Sequence, residues 1–185
     1  MIYLIRHGQT EWSKSGQHTG RTDLPLTEAG KKEALCLKNY PFPSFTHVFT
    51  SPLKRAKDTC ALTGYLDEAV VTEALYEWDY GKYEGLTSPE IHKLCPDWNI
   101  FTHGAPGGES IEDITLRCKK FLESLSHLKG PIALFSSGHI LRALTATYLR
   151  QPLAFGGQIV LSTATISVLG NDHSMPAILK WNLSV

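Results

Sequence analysis

No apolar run in this sequence is long enough to cross a bilayer or to form a signal-peptide core. At the N-terminus only Met1 to Ile5 are apolar before Arg6, whereas a span needs about 20 residues. Nothing in the chain directs export, and a cytoplasmic location is expected. Net charge is also missing: 18 Lys and Arg balance 18 Asp and Glu. No global field draws the chain to nucleic acid or to an anionic membrane, so any attraction for an anion has to be local. The four cysteines, Cys36, Cys60, Cys95 and Cys118, contain no Cys-x-x-Cys pair, which excludes a zinc knuckle and a thioredoxin-like motif and reads as free thiols. The histidines His18, His47, His92, His103, His127 and His173 show no helical i, i+4 pairing with one another, so no metal site is expected. Repeats, low-complexity tracts and linkers are absent. The chain of 185 residues reads as a single domain, 1–185, long enough to bury roughly 70% of its unfolded surface without a disulfide or metal staple.

What is present is an alternation of short apolar runs and helical patterns. Ile2 to Ile5 reads as a buried strand ending at Arg6-His7-Gly8, and His47 to Thr50 as a second. Thr27 is a helix cap with Glu28 in the first turn, and that helix is expected to reach about Asn39, before Pro41 and Pro43. Ser51-Pro52 reads as a helix opening that places Arg55 about one turn inside. A third short strand is expected near Ala69 to Thr72. Leu75 to Gly108 is irregular, with a short helix after Pro89, and is expected to cross one end of the sheet. Ser110 with Asp113 forms a capping box ahead of Ile111, Ile114, Cys118, Phe121, Leu122, Leu125 and Leu128, a three-and-four spacing that predicts a long amphipathic helix. Ile132 to Phe135 is a central strand, followed after Ser136 to His139 by a helix to about Leu149. Thr165 to Leu169 and Ala177 to Trp181 close the chain as strands about a turn at Gly170-Asn171-Asp172. The fold class is α/β, a three-layer α/β/α sandwich around a mostly parallel sheet.

In such sheets ligands bind where the carboxyl ends of strands meet helix N-termini. Three such ends carry chemistry: Arg6-His7-Gly8, Ser51-Pro52 with Arg55, and Ser137-Gly138-His139. Two arginines and two histidines are therefore expected to meet around one anion. Guanidinium forks match phosphate oxygens, so Arg6 and Arg55 would hold the group. A neutral imidazole is a competent nucleophile when its other nitrogen is held as a donor, so one histidine attacks and the other stabilises. Each residue also has an ordinary structural reading as a surface, capping or core side chain.

The segments settle the choice. Leu4-Ile5-Arg6-His7-Gly8-Gln9-Thr10-Glu11-Trp12, then Thr19-Gly20-Arg21-Thr22-Asp23-Leu24-Pro25-Leu26-Thr27-Glu28-Ala29-Gly30, then Ser51-Pro52-Leu53-Lys54-Arg55-Ala56 and Ser137-Gly138-His139 resemble, in order, the blocks of the histidine phosphatase superfamily, the group that includes phosphoglycerate mutases. The resemblance implies His7 as the phosphorylated nucleophile, with Arg6, Arg55 and His139 completing the phosphate pocket. It implies that Glu77, in Tyr76-Glu77-Trp78-Asp79-Tyr80-Gly81, is the proton donor and acceptor. Ser13 stands where many members carry asparagine. The stretch Trp12 to Gly20 is similar to a branch resembling sedoheptulose-1,7-bisphosphatase.

The resemblance implies a phosphatase acting on a small-molecule phosphate ester, a sugar phosphate or bisphosphate, without a cofactor. Phosphoglycerate mutase and α-ribazole phosphatase activities are alternatives, and a catalytically silent phospho-ligand-binding domain is an alternative of another class. Only roughly 25 residues separate the acidic loop from the next long helix, an ordinary functional loop rather than a mutase cover, which favours hydrolysis. Substrate contacts are expected from Ser13, Gln17, Thr19, Gly20 and Tyr80. Lys14, Arg21 and Lys82 are expected near the pocket, as candidates for a second phosphate. A homodimer through an exposed edge strand stays open.

Overall fold

The computed structural model describes residues 1–185. Its centre is a six-stranded sheet in the order β3-β2-β4-β1-β5-β6. Strands β1 (Ile2–Arg6), β2 (His47–Thr50), β3 (Ala69–Val71) and β4 (Ile132–Ser136) run parallel, while β5 (Ile166–Asp172) pairs antiparallel with β1 and with β6 (Met175–Leu183). The mostly parallel expectation therefore holds for one side of the sheet, and the C-terminal hairpin supplies the other.

Side-chain alternation explains why both faces are covered. Ile2 and Leu4 of β1 and Ile132 and Leu134 of β4 join one core cluster, whereas Tyr3, Ile5, Ala133 and Phe135 join the opposite one. An apolar run four or five residues long has no polar face to show to water, so helices must cap both sides. On the first face lie α6 (Ile111–Leu125) and α7 (Gly138–Tyr148). The second takes α3 (Lys54–Thr63), which packs in turn on α2 (Glu28–Cys36). Ile114, Cys118, Phe121 and Leu125 are the buried stripe of α6, at the spacing the sequence predicts. Burying each large aliphatic side chain of this kind stabilises the fold by about 1.5–3 kcal/mol.

Three details differ from the sequence expectations. First, α3 opens later than Ser51-Pro52: Ser51 still donates its N–H to Phe135 O at 2.9 Å, which keeps the backbone extended, and Leu53 is the cap. Arg55 is thus the second residue of its helix rather than one turn inside. Second, Gly170, Asn171 and Asp172 stay in the ladder opposite Ala177, Pro176 and Met175. The turn is the two-residue loop His173-Ser174, with His173 at φ 52°. Third, the polar stretch after Gly8 contains a short helix, α1 (Glu11–Ser15), started by a Thr10–Ser13 capping box. Between α3 and α6 the chain forms short 3-10 turns, α4 (Ser88–Leu94) and α5 (Ile100–His103). No helix is long and apolar enough to cross a membrane.

Candidate active site

The parallel register sets the ends of three strands at one level. Arg6 pairs with Ser136 and Thr50 with Phe135, so the residues just beyond β1, β2 and β4 emerge together, as open α/β sheets require of a ligand crevice. A cavity of about 80 Å³ opens there, walled by His7, Arg6, Glu77, Tyr80, His139 and others.

His7 is 4% exposed, and its Nδ1 lies 2.7 Å from the Gly8 carbonyl oxygen. Burial, then the positive charges of Arg55 and Arg6, push its pKa well below the usual histidine value. The ring is therefore neutral near pH 7 with its proton on Nδ1, and Nε2 carries the free lone pair. Gly8 can sit so tightly because it lacks a Cβ, which would lie 2.2 Å from Gly30 O. The Gly8 N–H donates to Thr59 Oγ1 at 3.1 Å.

Arg6 donates from Nη1 to Leu161 O, and its Nε is buried with no protein partner. An orphan guanidinium N–H at a cavity wall is an anion receptor in waiting. Arg55, fully buried, gives Nε to Ser137 Oγ at 3.2 Å, Nη1 to Thr22 O at 2.9 Å and Nη2 to Thr19 O and Gly20 O at 3.0 and 2.9 Å. Four of a guanidinium's five donors are thereby committed, leaving one. Arg55 grips the loop beside the cavity more than it walls the cavity itself.

Glu77, 4% exposed, caps α7. Its Oε1 accepts Trp78 N–H at 2.9 Å and Ile140 N–H at 2.7 Å, and Oε2 accepts His139 N–H at 2.9 Å. The residue expected as acid is thus locked to the helix that carries the late histidine. His139 Nδ1 in turn pairs with Tyr80 Oη.

The expected substrate contacts divide. Ser13, Gln17, Thr19 and Tyr80 line the cavity. Ser13 Oγ is occupied within the capping box, accepting Thr10 N–H at 2.8 Å and donating to Thr10 O at 3.0 Å. Gln17 Nε2 donates to Gly85 O at 2.8 Å. Gly20 is not on the wall: its N–H goes to Glu84 and its carbonyl to Arg55. Lys14, Arg21 and Lys82 do not border the cavity either, which corrects that expectation. Lys14 and Lys82 are exposed, and Arg21 stacks on the Tyr76 ring at 4.0 Å, beside a separate groove of about 600 Å³.

Thr10, His18 and Arg142, none of them expected at the site from the sequence, are also on the wall, as is Gly138. Arg142 had a usable signal, since it follows His139 by three residues in one helix and shares its face. His18 had none. Burial lowers its pKa to about 4, and its ring lies 4.9 Å from that of Tyr80. His18, His139 and Arg142 also wall a second cavity of about 160 Å³, completed by Trp98, Asn99 and Phe101 among others. Gly138 packs against the Arg6 guanidinium, where a Cβ would come within 3.2 Å of Cζ.

A neutral imidazole with its lone pair free, a cationic wall and a buried carboxylate, gathered at one end of an α/β sheet, suit phosphoryl transfer. The chain belongs to the histidine phosphatase superfamily (branch 1), whose model matches residues 2–184, and it is a phosphatase. It is 39% identical over 188 residues to an acid phosphatase of Mycobacterium tuberculosis, covering 99% of this chain and 92% of that one. It is 36% identical to sedoheptulose 1,7-bisphosphatase of Saccharomyces cerevisiae, over 92% of this chain and 73% of the yeast protein. The solved structure of an open reading frame from Mycobacterium tuberculosis superimposes with a TM-score of 0.94 at 35% identity, covering 99% of this chain and 97% of the other.

Proposed function

We propose that the chain hydrolyses a small phosphate monoester, a sugar phosphate or bisphosphate, through a phosphohistidine at His7. The observation that carries this reading is the pairing of His7 Nδ1 with Gly8 O in a ring kept neutral by burial and two arginines. Nε2 attacks phosphorus and the ester P–O bond breaks. Glu77, entering as the acid, gives its proton to the leaving alkoxide; Arg6, the remaining N–H of Arg55 and His139 stabilise the charge on the transferring group. Water then attacks the phosphohistidine and returns a proton to Glu77. The N–P bond breaks, inorganic phosphate leaves and His7 is neutral again.

A substrate with a second anionic group, such as sedoheptulose 1,7-bisphosphate, is supported by the likeness to the yeast enzyme and by Arg142. That side chain walls both cavities and donates Nε to Gly156 O at 2.7 Å, while its two Nη groups are left for a ligand.

The test is a quench of the protein during turnover of sedoheptulose 1,7-bisphosphate, fructose 1,6-bisphosphate, α-ribazole phosphate and phosphoglycerates, with free phosphate and isomer exchange measured together. Free phosphate and an acid-labile adduct on His7 are expected. Rapid isomer exchange with little phosphate would make the chain a mutase. No turnover of any ester, with phosphate esters still bound, would make it a binding domain.

A further inference from the structure

Tyr80 and His139 are close enough to act as one unit, and Tyr80 has no other partner for its hydroxyl. Tyr80 is 1% exposed, on the loop that also carries Glu77. Its hydroxyl meets His139 Nδ1. The tyrosine ring packs against the Gly20 backbone, where a Cβ would come within 3.0 Å of Tyr80 Cδ2. His139 is fixed by its backbone N–H to Glu77 Oε2 at 2.9 Å, and the rings of Phe101 and His18 flank it at 5.3 and 5.8 Å. Those contacts set where the imidazole is. None of them decides which nitrogen holds the proton.

We infer that Tyr80 is a positioning residue that sets the tautomer of His139, so that Nε2–H, rather than a bare nitrogen, faces the transferring phosphoryl group. Burial raises the tyrosine pKa well above its ordinary value and lowers that of His139 well below, so both are neutral at working pH. A phenol can donate to a bare Nδ1 or accept from Nδ1–H, but the second arrangement leaves the buried Tyr80 O–H with no acceptor, so the satisfied one has O–H donating to Nδ1. The histidine proton must then sit on Nε2, where no protein group meets it and the ring forms a wall of both cavities. A donor fixed in advance needs no reorganisation when charge develops on the phosphoryl oxygens. With Nδ1 unconstrained, part of the population would present a lone pair to an anion and repel it. This also redirects Tyr80 from the substrate contact the sequence suggests: its hydroxyl is spent on the enzyme.

The kinetic arm of the test rests on the phosphatase reading, and the spectroscopic arm does not. Label histidine with ¹⁵N and assign His139 in the free wild-type protein near pH 7: a protonated Nε2 and an unprotonated, hydrogen-bonded Nδ1 are expected. Tyr80→Phe, which keeps the ring, should move His139 toward mixed tautomers. It should also lower kcat/KM about tenfold, less than outright loss of an oxyanion donor. His139→Ala should lower kcat/KM further, and the double variant should match His139→Ala alone. A proton on Nδ1 in the wild-type protein, an unchanged tautomer in Tyr80→Phe, or losses that multiply in the double variant would each overturn the assignment. A wild-type protein that turns over no ester would defeat the functional reading and leave the tautomer result standing.

Discussion

Arg55 and Glu84 hold the loop Thr19–Thr22 by opposite polarities. Arg55 donates to the carbonyl oxygens of Thr19, Gly20 and Thr22, while Glu84 accepts the N–H groups of Gly20 and Thr22 at 2.9 to 3.1 Å. Thr19 is a wall of the cavity that holds His7, so the grip converts two charges on distant segments into the position of part of that wall.

Glu84→Ala removes one side of that grip and leaves two loop N–H groups without their acceptor, a loss of about 1–3 kcal/mol for each that stays dry. On the proposed role of Thr19 as a substrate contact away from the reacting atoms, the expected kinetic signature is a raised KM with a smaller change in kcat. Glu84→Gln should recover most of both, since Oε1 already accepts from Gly20 and Thr22. Steady-state kinetics beside a denaturant titration checks this, and a Glu84→Ala enzyme with unchanged KM and stability counts against it.

Glu77→Gln tests the acid. Loss of general acid catalysis costs about 10²–10⁴-fold in kcat. The loss should shrink for an aryl phosphate, whose phenolate leaves without a proton. The amide also sets an N–H₂ against one of the helix N–H groups that the carboxylate accepts, so a stability loss of about 1–3 kcal/mol accompanies it. A kcat loss equal for alkyl and aryl esters would place the defect elsewhere.

That these side chains would meet was legible in the sequence, for a physical reason. Arg6 closes β1, His7 follows it and His139 lies just past β4, both strands with unmistakable apolar runs, and a parallel sheet brings such ends together whatever the intervening chain does. Gly20 and Arg21 were misplaced because a loop's local sequence does not say which of its atoms face a cavity. Gly20 faces Glu84 and Arg55 with both its polar backbone groups, and Arg21 turns away onto Tyr76. His18 reaches the wall through a tilted ring contact with Tyr80 and edge contact with Trp98, relations between residues about 60 to 80 positions apart. The turn at His173-Ser174 was hidden because strand pairing overrode the turn preference of Gly170 to Asp172.

Acid should destabilise this protein at an unusually high pH. His7, His18 and His139 all have pKa values lowered chiefly by burial, His18 to about 4. Unfolding returns them to about 6.5, so below that pH the unfolded chain binds protons the folded chain refuses. Stability is fully present above about pH 6.5 and falls as pH drops, by up to about 1.4 kcal/mol per unit for each histidine. For His18 the fall continues until about pH 4. Denaturant unfolding between pH 7.5 and 4.5 measures the slope. His18→Phe, which keeps a ring against Tyr80 and Trp98, should make it shallower by about one proton's worth. An unchanged slope would mean that His18 protonates freely in the folded state.

Gly8→Ala should damage stability and chemistry together. The added methyl would meet Gly30 O at 2.2 Å, and backbone cannot yield as a flexible side chain does. Relief requires α2 to move away from the loop after β1, at a cost of about 1–3 kcal/mol for overpacking of this kind. The same shift displaces Gly8 O from His7 Nδ1, the contact that keeps the imidazole's lone pair on Nε2. Gly30→Ala meets Gln9 O at 2.1 Å across the same interface, so it should cost a similar amount. Because one separation of α2 from the loop relieves both clashes, the double variant should lose clearly less than the sum of the single losses. Strictly additive losses, or a Gly8→Ala enzyme with wild-type kcat, would show that the two glycines do not share one gap.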